Sequence, residues 1–158
     1  MRRSSLLCAA ALACVWSASW SFRAHAQQPR TVNDGVYTAA QATRGEAAYR
    51  LQCVMCHGAS LAGDAGPPLT GDGFLGPRDE QPVSDLFDKI RSTMPQQAPG
   101  TLTESQVADL VAFILQVNRF PAGSVELAAS PASLRQIALV SAGTGRSEEH
   151  TSELQSQR

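Results

Sequence analysis

Few residue types capable of binding a metal or handling electrons occur in this chain, and their distribution is uneven. The 158 residues include four cysteines, three histidines, three methionines and two tryptophans. Cys8, Cys14, Trp16 and Trp20 all fall within the first 20 residues. No basic stripe runs along the chain, which argues against nucleic acid as a partner. No apolar run reaches the roughly 20 residues that a membrane-spanning helix needs. No segment alternates apolar and polar residues in the manner of a half-buried strand. These absences exclude a nucleic-acid binder, a multispan membrane protein and a sheet-based fold. An all-α domain with very few reactive side chains is left.

Both ends of the chain read as segments outside the fold. Arg2 and Arg3 precede an apolar run from Leu6 to Trp16, followed by the small-residue site Ala24-His25-Ala26. This is the pattern of a secretory signal peptide over residues 1–26, removed after Ala26, and it predicts a periplasmic protein. Lipid anchoring through Cys14 is a weaker alternative, because Ala11-Leu12-Ala13 is a poor context for it. At the other end, Arg146–Ser156 reads RSEEHTSELQS. That string resembles the translated reading frame of a sequencing-library adapter, so residues 146–158 are excluded from the fold and the native C-terminus is expected to be missing. Residues 27–145 carry eight Lys and Arg against eleven Asp and Glu, a net charge of −3. Within them the only cysteines are Cys53 and Cys56, the only histidine is His57, and the methionines are Met55 and Met94.

Helix signals organise what remains. Residues 27–37 read as an irregular N-terminal segment. Thr38 followed by Gln41 forms a capping-box pattern, predicting a helix to about Leu51 with Ala42, Gly45 and Tyr49 on its buried face. Residues 58–82 are rich in Gly, Pro and Asp and read as a loop, long for a compact domain unless it wraps something. Ser84 reads as the cap of a short helix, DLFDKIRS, with Leu86, Phe87 and Ile90 inward. Thr103 and Gln106 form a second capping box. The helix after it, to about Val117, has the clearest period: Val107, Leu110, Val111, Ile114. Residues 121–145 read as an extension with no capped element. Three short helices bury little for a domain of this size, so a bound cofactor is the economical staple.

The cluster CVMCHG, residues 53–58, is compatible with three chemistries. A zinc site needs four ligands, and Cys53, Cys56 and His57 supply only three. A thioredoxin-like redox pair expects a βαβ setting, which is missing. C-x-x-C-H is also the pattern of c-type haem attachment, in which Cys53 and Cys56 form thioethers with the haem vinyl groups and His57 binds the iron. Met55 lies inside the attachment turn and cannot reach the opposite face. Met94, 37 residues after His57, is the remaining candidate for the sixth ligand, with a core gap-filler as its alternative role. A His/Met pair favours electron transfer.

The Gly45/Tyr49 helix, CVMCH, GPPL, TMP and ADLVAFIL together resemble the class I c-type cytochromes of bacterial, periplasmic, mono-haem kind over about residues 38–118. The resemblance implies three main helices and long loops wrapped around one covalent haem c, over a domain at 38–120. It implies a close crossing of the first and last helices at Gly45, Tyr49, Leu110 and Phe113. It also implies that the Pro67 carbonyl accepts a hydrogen bond from the His57 Nδ1–H. Leu69, Phe74, Leu75 and Leu86 are expected to pack on the haem or in the plain core. Many relatives carry a Trp or Tyr near the haem propionates where this chain has GPRDEQP. Arg78 and Arg91 are read as solvated surface charges, with pairing to a propionate as the alternative. The function implied is single-electron transfer by a monomeric carrier, not an enzyme, between redox partners such as a dehydrogenase, an oxidase or another cytochrome. The alternative is the haem domain or subunit of a larger enzyme, such as a quinoprotein dehydrogenase, whose remainder is missing.

Overall fold

Helix caps decide where this protein's main elements begin. The computed structural model describes residues 30–141, so the leader over 1–26 and the adapter-like tail at 146–158 lie outside the described residues. In chain order these are β1 (Arg30–Thr31), a 3-10 turn (Val32–Asp34), α1 (Ala39–Gln52), α2 (Val54–His57), α3 (Asp72–Leu75) and a second 3-10 turn (Gly76–Arg78). Then come α4 (Val83–Thr93), α5 (Glu104–Val117), α6 (Pro131–Leu134) and β2 (Ile137–Ala138). Among the described residues the architecture is all-α, and α1, α4 and α5 are the three long helices.

The cap of α5 is complete. Thr103 Oγ1 accepts from the Gln106 N–H at 3.2 Å, and Gln106 Oε1 accepts from the Thr103 N–H at 2.9 Å. A cap of this kind is worth about 1 kcal/mol. Val107, Leu110, Val111 and Ile114 are all buried, as their period requires.

At α1 only half of the expected capping box forms. Thr38 Oγ1 accepts from the Gln41 N–H at 3.1 Å. The Gln41 side chain turns inward instead of back to the cap. Its Nε2 donates to the Leu127 carbonyl at 3.0 Å, and its Oε1 accepts from the Leu127 N–H at 2.7 Å. A buried amide thus ties the first helix to the C-terminal extension.

Helices α1 and α5 make the most extensive contact of any two elements. Gly45 allows it: a Cβ there would run into the Asp109 carbonyl oxygen and lie 2.9 Å from the Phe113 Cβ. One turn on, the Tyr49 and Phe113 rings meet at 5.4 Å with a 53° tilt. On the outer side Arg44 forks onto Asp109 at 3.0 and 2.9 Å and reaches Glu126 at 3.0 Å.

Helix α4 corrects one expectation. Its N-cap is Pro82, and Ser84 lies inside the first turn, buried, with its Oγ on Asp85 Oδ1 at 3.3 Å. Proline enters a helix readily because its φ is already set, here to −68°, and it has no N–H to leave unpaired. Leu86, Phe87 and Ile90 face inward as read.

The segments read as irregular contain short elements. β1 pairs in parallel with β2, Arg30 opposite Ile137 and Thr31 opposite Ala138. α6 stands in the extension, and α3 with its following 3-10 turn stands in the long loop. Tyr37 O–H donates to the Phe120 carbonyl at 2.6 Å, and the Gly123 N–H donates to the Tyr37 carbonyl at 2.6 Å. Gly35, with φ +64°, lies against Gly123 too closely for a Cβ on either. Val32, Tyr37, Leu127, Leu134, Ile137 and Leu139 join the same apolar cluster as the helices.

Candidate functional site

The CVMCH stretch is one turn of helix directly after α1. Cys53 closes α1, its N–H donating to the Tyr49 carbonyl at 2.8 Å. The Cys56 and His57 N–H groups both return to the Cys53 carbonyl, at 3.1 and 3.0 Å. Residues three apart share a helix face, so the Cys53 and Cys56 thiols line the same cavity. Met55, between them, is 83% exposed. Gly58 ends the turn at φ +76°.

His57 is 8% exposed. Its Nδ1 lies 2.8 Å from the Pro67 carbonyl oxygen. A carbonyl only accepts, so Nδ1 is the donor, and in the neutral imidazole the lone pair then lies on Nε2. The chain passes tightly over the ring: a Cβ on Gly66 would sit 3.1 Å from His57 Cε1 and 3.2 Å from Nδ1. Sequence reasoning missed Gly66, because GPP reads equally as a rigid turn.

Cys53, Cys56, His57, Pro67, Leu69 and Met94 line one cavity of about 190 Å³. That is more than ten times what a single water needs. Leu86, Ile90, Leu102, Leu110 and Ile114, from α4, α5 and the segment between them, make much of its wall apolar, and Gln52, Lys89, Gln96 and Gln97 add polar groups to it. Met94 follows α4, where its N–H donates to the Ile90 carbonyl at 3.0 Å. Phe74, expected at this site, is buried but lies outside the lining. Arg78 is in the lining and Arg91 is not. Arg91 pairs with Asp88 at 3.0 Å and Glu104 at 3.3 Å. Arg78 donates to the Phe74 carbonyl at 2.8 Å and stacks 4.3 Å above the Phe74 ring. Burial lowers the pKa of the Arg78 guanidinium.

Two further residues support the wall. Tyr49 O–H donates to the Gly58 carbonyl at 2.6 Å. Asn118, at the end of α5, donates Nδ2 to the Leu69 carbonyl at 2.9 Å and accepts from the Gly71 N–H at 3.1 Å. Their partners are backbone atoms, so no sequence motif marks either one.

The donor set discriminates among the three chemistries. Both thiols are free and half-buried, and burial, with a smaller effect of Cys56, pushes the Cys53 thiol up to about 11. Among the described residues no three His, Cys, Asp or Glu side chains converge as a metal site. Two thiols on one face, an imidazole with a free Nε2, a thioether and an apolar hollow do fit a covalently held haem c.

Residues 40–114 match the family described as cytochrome C oxidase, cbb3-type, subunit III. The chain is 35% identical over 74 residues to cytochrome c-551 of Bacillus subtilis (strain 168), covering 47% of this chain and 62% of that protein. It therefore spans under two thirds of that relative's length. Among solved structures, the sulfane dehydrogenase SoxCD from Paracoccus pantotrophus aligns with a TM-score of 0.47 at 21% identity, over 84% of this chain and 72% of that one.

Proposed function

We propose, on the premise that residues 40–114 are a class I c-type cytochrome domain, that the protein is a monomeric periplasmic carrier of single electrons whose iron would be bound by His57 and Met94. The cofactor of the family is one covalent haem c with its iron. When bound, it supplies an iron that holds and releases one electron. Cys53 and Cys56 would hold it by two thioethers. The Pro67 carbonyl keeps the proton on His57 Nδ1, which orients the ring and makes Nε2 the better donor. Met94, sharing an iron with His57, would raise the reduction potential, since a thioether favours ferrous iron. Leu86, Ile90 and Leu110 give the hollow an apolar wall, which strengthens electrostatic effects beside it.

The observation that carries this reading is that Cys53, Cys56, His57 and Met94 all line one apolar cavity. Among the described residues no helix is long and apolar enough to cross a membrane. The test is expression with a cytochrome c maturation system followed by acid–acetone extraction. The haem should stay with the protein, and haem lost to the solvent would overturn the thioether assignment.

A second reading is favoured by the name of the matching family, a subunit of an oxidase complex. In it the domain is the electron-transfer subunit, or a fused part, of a larger enzyme, a dehydrogenase included. Co-purification of the tagged full-length protein separates the two: a lone monomer supports the carrier, and a stoichiometric enzyme partner supports the subunit.

A further inference from the structure

We propose that residues 137–141 form a strap that positions Arg78 as the counter-charge for an acidic group of the cofactor. This deepens the haem reading and rests on it.

The strap bonds to the three residues that follow Arg78. The Glu80 N–H donates to the Leu139 carbonyl at 2.8 Å, and the Leu139 N–H donates to the Gln81 carbonyl at 2.8 Å. The Ser141 N–H and Oγ both reach Asp79 Oδ1, at 3.0 and 3.2 Å. Every anchor lies within three residues of Arg78. The strap is itself fixed from behind: β2 pairs with β1, Asn33 Nδ2 donates to the Val140 carbonyl at 3.1 Å, and Ile137 and Leu139 are buried.

The loop does not hold its shape unaided. Glu80 has φ +63°, a left-handed conformation that costs a non-glycine residue about 1–3 kcal/mol and persists only where the surroundings enforce it. The enforcing contacts are those of the strap.

Arg78 is where that enforcement matters. Arg44, Arg50 and Arg91 each have an acidic partner. Arg78 is half-buried on the wall of a largely apolar cavity, and among the described residues it makes no ion pair. Its bonds are to the Phe74 carbonyl and ring, which are neutral. A cation desolvated without an anion is costly, and a carboxylate on the cavity side removes that cost. The guanidinium fork suits a carboxylate. Phe74, absent from the lining, contributes by supporting Arg78 from beneath. Lys89 also lines the cavity but is exposed.

The experiment is redox titration of the haem-loaded protein in a double-mutant cycle. Arg78→Gln should lower the potential, because an uncompensated carboxylate favours ferric iron; a tenfold change in the equilibrium is about 59 mV for one electron, and we expect a shift of that order. Ser141→Pro removes both bonds to Asp79 without altering charge and should shift the potential the same way by a smaller amount. Leu139→Pro should do the same, and Ser141→Pro keeps the test open if Leu139→Pro fails to fold. In the Arg78→Gln background the strap variants should shift the potential no further. A strap variant that lowers the melting temperature at wild-type potential, or shifts both backgrounds equally, overturns the proposal. Retention of haem by the wild type is measured first. If it fails, the functional reading fails; if it holds and Arg78→Gln keeps the wild-type potential, only this inference fails.

Discussion

At the α1–α5 crossing, the bare backbone at Gly45 lies against the backbone of Asp109, and Tyr49 tilts onto Phe113. Along the cavity, by contrast, loops rich in Gly and Pro are tied by separate hydrogen bonds: His57 to Pro67, Gly66 to Cys56 at 2.7 Å, Leu69 to Leu61 at 2.8 Å. The crossing fills its own space. The wall encloses space it does not fill. The crossing therefore stabilises the chain by its own contacts, whereas the wall has its full set of contacts only with a cofactor inside. Changes at the crossing should be read in unfolding curves, and changes at the wall in the properties of the bound iron.

The strongest test of that division is Gly45→Ala. On an exposed helix the change stabilises by about 1 kcal/mol. Here the new Cβ meets a backbone oxygen that cannot rotate away, so a loss of about 3 kcal/mol is expected. Urea unfolding measures it. A potential that moves as far as the stability does would break the separation of the two regions. Next comes Gln41→Ala, which leaves the Leu127 N–H and carbonyl unpaired in a buried setting and should cost about 2 kcal/mol. Loss of hydrogen-exchange protection at Leu127, with α5 protected as before, would place the effect in the extension. On the wall, Met94→Ala should lower the potential by at least a tenfold change in the equilibrium, about 59 mV for one electron. It should also let cyanide reach ferric iron quickly. An unchanged potential would remove Met94 from the ligand set.

The same division marks what the sequence could disclose. The Thr103–Gln106 box and the period of α5 are local, and both are found in the structure. The Gly45–Tyr49 face is likewise local to one helix. Gln41 looked like the other half of a cap, but its partner is 86 residues away, and no short window contains that information. β1 and β2 are two residues each, too short for an alternating pattern to appear. Arg78 and Arg91 are equal as charges in a sequence. What separates them is that α4 and α5 give Arg91 acidic neighbours, whereas Arg78 lies on the cavity wall against Phe74. Clustering of Cys53, Cys56 and His57 was legible because one helical turn brings them together. The backbone ties from Tyr49 and Asn118 to the wall were not, since any residue could present the accepting carbonyl.

Tyr49 belongs to both regions and gives the smallest and sharpest test. Its ring is part of the crossing, and its hydroxyl donates to the Gly58 carbonyl just past His57. Burial, with a lesser effect of Cys53, pushes its phenol up to about 12 from an ordinary value of 10.0. The folded state therefore favours the neutral phenol more strongly than the unfolded chain does. Stability from this group is complete below pH 10 and is lost as pH rises toward 12, because the unfolded chain releases a proton that the folded one retains. Tyr49→Phe keeps the ring contact and removes the donor. It should cost about 1 kcal/mol at neutral pH and make the alkaline decline in stability shallower, with Tyr37, also raised by burial, accounting for part of what is left. Chemical unfolding at pH 7 and pH 11 reads both effects. An equally steep decline in the variant would mean that the phenol is not what couples the crossing to the wall.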